Sequence, residues 1–137
     1  MLRPHTANAP EQPPAARMRV GEAMVSVEVV RTSRDQSLGL SNRESLPQNA
    51  GMLFVYDDAL VRDFWMRGMR FPLDVIWIAD GVVVGTQEHI PFESGDGSVV
   101  RFRSNKPADM VLEVHAGWVA EHGIKAGNAA VLDKNPN

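Results

Sequence analysis

The chain has 137 residues, 44% hydrophobic and 23% charged, with a formal net charge of −3 and no cysteine. That length fits one domain able to bury about two-thirds of its unfolded surface, and the composition is that of a globular protein. Disulfides, thiol catalysis and thiolate metal sites are excluded, the redox compartment stays open, and a mild negative charge without a Lys/Arg cluster argues against nucleic acid as a partner.

The opening "MLRPHTANAPEQPPAAR" lacks periodicity and is rich in proline and alanine, so residues 1–16 read as a flexible leader. It is either the spacer left when a signal or lipid anchor is cut away or an unstructured N-terminus. No apolar core follows Met1, so no intact secretory signal is expected. No apolar run approaches the ~20 residues of a membrane span. Residues 17–133 read as a single β-rich domain and residues 134–137 as a tail.

In "MVSVEVVRT", Val25, Val27 and Val29 alternate with Ser26 and Glu28, the pattern of a half-buried strand. Ser33 with Gln36 three residues on has the form of a capping box, which predicts a short helix ended near Gly39 and Asn42. "GMLFVY" is a compact apolar strand, "DDAL" a turn, and "RDFWM" another strand. Asp80-Gly81 within "LDVIWIADGVVVGTQEHI" is a two-residue hairpin signal, because glycine supplies the positive φ of the tight turn. "SVVRFRS" and "DMVLEVHA" add strands, and in the latter Met110, Leu112 and Val114 oppose Val111, Glu113 and His115. "GWVAEHG" makes a short helix closed by Gly123, and "NAAVLD" a last strand. The expected fold is mainly β: one domain, an antiparallel sheet curled into a partly closed barrel, with one or two short helices.

The blocks "GLSNRESLPQNAGMLFVY", "FWM", "PLDVIWI" and "VLEVHAG", in that order and spacing, resemble the domain-of-unknown-function 192 family of small, mostly bacterial and archaeal β-rich domains. The resemblance spans about Val25 to Leu132. It implies the fold and an often exported location, periplasmic or extracellular, and supplies no activity. Where the family usually has an Asn-Thr pair after "WM", this chain reads Arg67-Gly68-Met69-Arg70-Phe71, so a polar site at that place is not transferred.

"DFWMRGMRFPLDVIW" concentrates six large apolar side chains. Phe64, Met66, Leu73, Val75 and Trp77 read as core, whereas Trp65 shares the opposite strand face with Arg67. Trp65, Arg67 and Arg70 form a candidate aromatic and cationic rim. Arg43 and Asp74 sit at element ends: either a structural brace, or an arginine gripping an anionic ligand with a carboxylate positioning it. The candidate ligand-binding set is therefore Arg43, Trp65, Arg67, Arg70 and Asp74.

Chemistry finds little support. G-x-S-x-G, H-E-x-x-H and phosphate-cradling glycine loops are absent. "ESGDGS" is too short for an EF-hand and reads as a surface turn. The expected function is a non-catalytic binding domain of the cell envelope or exterior, without cofactor, taking a small polar or anionic molecule, a peptide or a glycan. The alternatives are an acid/base enzyme using Asp74, His89 and Arg43, an accessory domain docking on a partner protein, and, remotely, Cu(I) held by Met66, Met69 and His89.

Overall fold

Period-two alternation builds the first hairpin of the computed structural model, which describes residues 15–133. Strand β1 (Ala15–Val20) pairs antiparallel with β2 (Ala23–Val30), so that Met18, Val20, Val25 and Val27 are buried while Arg17, Arg19 and Ser26 are exposed. Ala15 and Ala16, expected in the leader, already pair with Glu28 and Val27. The arginines of β1 mask its alternation in the sequence. The rest of the expected leader and the tail lie outside the described residues.

Helix α1 (Ser33–Leu38) starts at Ser33 as expected, but its cap lies one residue earlier: Thr32 is the N-cap, its hydroxyl accepting from the Asp35 N–H at 3.1 Å. Gln36 closes no capping box. Its amide donates instead to the carbonyls of Val30 and Val55, at 3.2 and 3.0 Å, and ties the helix to the sheet.

Strand β3 (Ala50–Leu60) runs through "DDAL", expected as a turn; its pairing is irregular after Val55 and resumes at Leu60 opposite Ala108. β3 is parallel to β2 and antiparallel to β8 (Ala108–His115), so the sheet is mixed. Close approach makes glycine necessary at Gly51, where a Cβ would lie 2.6 Å from the Glu113 carbonyl oxygen.

Strands β5 (Leu73–Ala79) and β6 (Val82–Ile90) form the expected antiparallel hairpin. Asp80 and Gly81 both take positive φ, 52° and 75°, as a two-residue primed turn demands. The seven-stranded order is β6-β5-β8-β3-β2-β1-β9, with β9 spanning Ala130–Asp133. Its two edges meet at one end: the Val83 N–H donates to the Asn128 carbonyl at 2.9 Å and the Ala130 N–H to that of Gly81 at 2.8 Å. The sheet is thereby curled into a half-barrel within a single domain. Among the described residues no helix is long and apolar enough to cross a membrane.

Both faces of the sheet are covered. The concave face gathers Val25, Leu53, Ile76, Leu112 and Val114 and is plugged by Trp118, Val119 and Ile124 on and after helix α2 (Trp118–His122). The convex face carries Met52, Phe54, Val75, Trp77 and Val111 beneath a two-stranded ribbon, β4 (Asp63–Trp65) with β7 (Arg101–Arg103), and beneath Leu40 at the end of α1. Phe64, Met66, Leu73, Val75 and Trp77 all join this second cluster, as the sequence pattern requires.

Leu112 is fully buried at the centre of the concave cluster. Leu112→Ala is expected to cost about 2–5 kcal/mol, the range for large-to-small core changes. Chemical denaturation checks this, and an unchanged midpoint would contradict the register of β8.

Candidate functional site

The cover over the convex face is incomplete, and the gap is a cleft of about 430 Å³ between α1, the β4–β7 ribbon and the sheet. Ribbon alternation sets its aromatic wall. Phe64 and Phe102 are cross-strand partners with rings stacked at 5.4 Å, and Phe64 also meets the Phe54 ring edge-on at 5.1 Å. The alternate residues point outward: Trp65 lies opposite Arg101, and Asp63 opposite Arg103, which it holds at 2.7 Å.

The opposite wall is α1 and the loop after it, where Ser37, Gly39, Leu40 and Ser41 line the cleft. That loop is pinned to the segment after β4 by Ser41, whose hydroxyl donates to the Arg67 carbonyl at 2.9 Å, and by the Asn42 N–H donating to the Gly68 carbonyl at 2.8 Å. Both pins, one from a short hydroxyl side chain and one from a backbone N–H, end on backbone carbonyls.

From the sheet beneath comes Glu113. It is only 5% exposed and lines the cleft, and its carboxyl has no hydrogen-bond or ion-pair partner among the described residues. Its cross-strand neighbours are Met52 on β3 and Val75 on β5. Burial among apolar groups disfavours the charged form and pushes the carboxyl up to about 8. Tyr56, also lining the cleft, is pushed to about 12, chiefly by burial; the Arg62 guanidinium stacked 3.7 Å over its ring acts in the other direction. Arg62 itself donates to the Ala108 carbonyl and to Asp58, and does not reach Glu113.

Of the expected site residues, the structure brings together Trp65 and Arg67. Trp65 is 43% exposed on the cleft wall, with the Arg67 guanidinium 4.3 Å from its ring and that of Arg101 at 5.6 Å. Arg70 is exposed and does not line the cleft. Arg43 is not paired with Asp74: it makes a two-pronged ion pair with Glu28, at 2.5 and 2.9 Å, and this hydrogen bonding raises its pKa further.

Asp74 is fully buried on the concave side, and its oxygens accept three backbone N–H groups, from His89 at 2.8 Å, Gly117 at 3.0 Å and Val119 at 2.9 Å. His89 is exposed and contributes only its backbone to that contact, while Met66 and Met69 line the cleft on the other side of the sheet. In "ESGDGS", Asp96 accepts from the Ser94 and Ser98 hydroxyls and the Ser98 N–H, which holds its carboxyl well below the usual range.

Sequence reasoning missed Arg101 and Glu113 as site residues. Alternation in "VVRFRS" puts Arg101 opposite Phe102 in facing, and "VLEV" sets a carboxylate within an apolar run, which is the signal that points to Glu113.

The family model of domain of unknown function 192, Uncharacterized ACR, matches residues 16–132, and the chain belongs to that family. Among solved structures, the chain resembles a candidate transcription regulator from Sinorhizobium meliloti, with 25% identity and a TM-score of 0.80 over 90% of this chain and 98% of that one. It also resembles a protein of unknown function from Novosphingobium aromaticivorans, with 28% identity and a TM-score of 0.75 over 91% of this chain and 94% of that one. No curated protein matches the chain.

Two outcomes follow from the buried carboxyls. Asp74→Asn turns an amide N–H₂ toward at least one of three N–H donors, and a loss of about 1–3 kcal/mol or more is expected in denaturant titration. Glu113 takes up its proton more readily folded, near pH 8, than unfolded, near 4.5. Between those values the native state binds the extra proton, so stability is greatest at the acid end and falls as pH rises toward 8. A Glu113→Gln variant should show a flatter stability–pH profile over that window, and equal slopes in the two proteins would refute the assignment.

Proposed function

We propose that the protein is a non-catalytic binding domain whose cleft holds a small polar organic molecule. The observation that carries this reading is the cleft of about 430 Å³ itself, which joins an aromatic wall to one buried polar group, Glu113. That combination, mostly apolar with few convergent polar groups, is what ligand sites present. The guanidinium groups of Arg67 and Arg101 beside Trp65 add a cationic rim suited to a negative or electron-rich group at the mouth.

An exported or envelope setting is part of the proposal and rests on the family resemblance. A role on nucleic acid, to which the description of the Sinorhizobium protein points, finds no support in a net charge of −3 and a carboxyl at the buried end of the cleft. The enzyme reading draws on the raised Glu113 carboxyl, a poised acid or base. Its partners are lacking, since Asp63 is engaged with Arg103 on the surface and Tyr56 is pushed to about 12.

Native mass spectrometry of the protein purified from a cell extract tests the reading. A bound small molecule is expected with the wild type and should be absent from Ser37→Trp, which fills the cleft from the exposed face of α1. Retention by that variant would move the site elsewhere, and chemical turnover of the bound molecule would replace the binder with an enzyme.

A further inference from the structure

Glu113 is an expensive residue to keep. An unpaired buried carboxyl loses hydration without recovering it in hydrogen bonds, and the fold does not need it to hold either core together. Its neighbours on β3 and β5 are Met52 and Val75. The nearby cations are engaged elsewhere: Arg62 with the Tyr56 ring, Ala108 and Asp58, and Arg101 beside Trp65. Of the remaining polar groups around the cleft, Ser33, Gln36, Ser37 and Ser41 are neutral, and Asp63 is an anion already paired with Arg103. Arg101 lines the cleft but stands beside Trp65, so no cation is paired with Glu113, and the aromatic rings of Phe54, Tyr56, Phe64 and Trp65 line the same space.

We propose that Glu113 is the receptor for an ammonium group, and that the cleft takes small organic amines whose apolar body lies against these rings. The inference rests on the cleft being a ligand site. A carboxylate with aromatic faces around it offers an ammonium both a charge-assisted hydrogen bond and cation–π attraction, each strengthened by exclusion of water. The raised Glu113 carboxyl fits this design: burial keeps the carboxyl neutral, and an arriving cation drives ionisation. The titratable groups lining the site are Tyr56 from β3, Asp63 from β4 and Arg101 from β7, with Arg62 stacked on the Tyr56 ring; the polar residues of α1 there are Ser33, Gln36 and Ser37. None of the four is positioned to neutralise Glu113 in place of a ligand.

Titration calorimetry of the full chain with three probes of one shape tests the inference: phenethylamine, phenethyl alcohol and phenylacetate. The amine is expected to bind at least about tenfold more tightly than the other two, and Glu113→Gln to weaken it by about 10- to 100-fold while leaving the alcohol unchanged. Amine affinity should rise roughly tenfold per pH unit from 6 toward 8, with most of one proton released at pH 7, seen as a dependence of the heat on buffer ionisation. This pH readout needs only the wild type. Equal affinities for amine and alcohol, unaffected by Glu113→Gln, would overturn the ammonium inference and leave the cleft as a binding site. Binding that survives Ser37→Trp, or no binding of any probe at millimolar concentration, would remove the cleft reading with it.

Discussion

One carboxylate fastens three parts of this fold. Asp74 stands in the central strand β5, fully buried, and its two oxygens accept backbone N–H groups from β6 and from the start of α2. Opposite it, β6 carries an extra residue: Leu73 pairs with Ile90 and Val75 with Gln87, so two residues of β6 face Asp74 alone. Such a bulge turns a ladder N–H out of register, and here His89, at φ 53°, aims its N–H at the carboxylate. On the other side, α2 has no side-chain cap of its own, because its N-cap is Gly117 at φ 101°. Asp74 supplies the missing cap from more than forty positions away in sequence, bonding the N-cap and N2 amides. The Trp118 plug of the concave core is therefore aimed by a residue that belongs to the sheet.

That fixed concave side explains why adaptability lies on the convex one. The half-barrel fills its interior with aliphatic side chains and Trp118. On the convex face a three-residue-per-strand ribbon and a six-residue helix are too small to cover a sheet of seven strands. The uncovered strip is the cleft. Its walls are held by Ser41 and Asn42 reaching across to the carbonyls of Arg67 and Gly68, so the opening is part of the folded state rather than a fluctuation of it. Gly68, at φ 76°, lets the chain turn close beneath that loop.

Much of this was legible in the residues. Alternation located β2 and β8 and sorted Leu112 and Val114 from Val111 and Glu113; Asp80-Gly81 placed the β5–β6 hairpin. The parallel pairing of β2 with β3 was not legible, since strand order is a long-range choice that local pattern leaves open. Strand β1 escaped because Arg17 and Arg19 sit beside a Pro/Ala-rich stretch, and the end of β3 escaped because two aspartates resemble a turn. Trp65 and Arg67 were found as a rim from strand facing alone. Arg101 was not, because its approach to Trp65 depends on β4 pairing with β7 across thirty-odd intervening residues. Arg43 and Asp74 were grouped from their similar positions at element ends, yet one reaches Glu28 on β2 and the other the opposite face of the sheet.

Asp74 and Glu113 together separate the two reasons for burying a carboxyl. They occupy adjacent strands, one register position apart: Asp74 opposite Val114, and Val75 opposite Glu113. Alternation sends them to opposite faces. Both are buried, Asp74 fully and Glu113 all but the small part that borders the cleft, so burial alone hardly distinguishes them. Partners do. Asp74 is given three N–H donors by its own backbone surroundings, enough to hold a charge in place as structure. Glu113 is given none, and sits in the one face whose cover is open. A fold able to satisfy the first so fully has the means to satisfy or replace the second; leaving it unsatisfied next to an aromatic-lined gap is the arrangement of a site whose remaining partner comes from outside the chain.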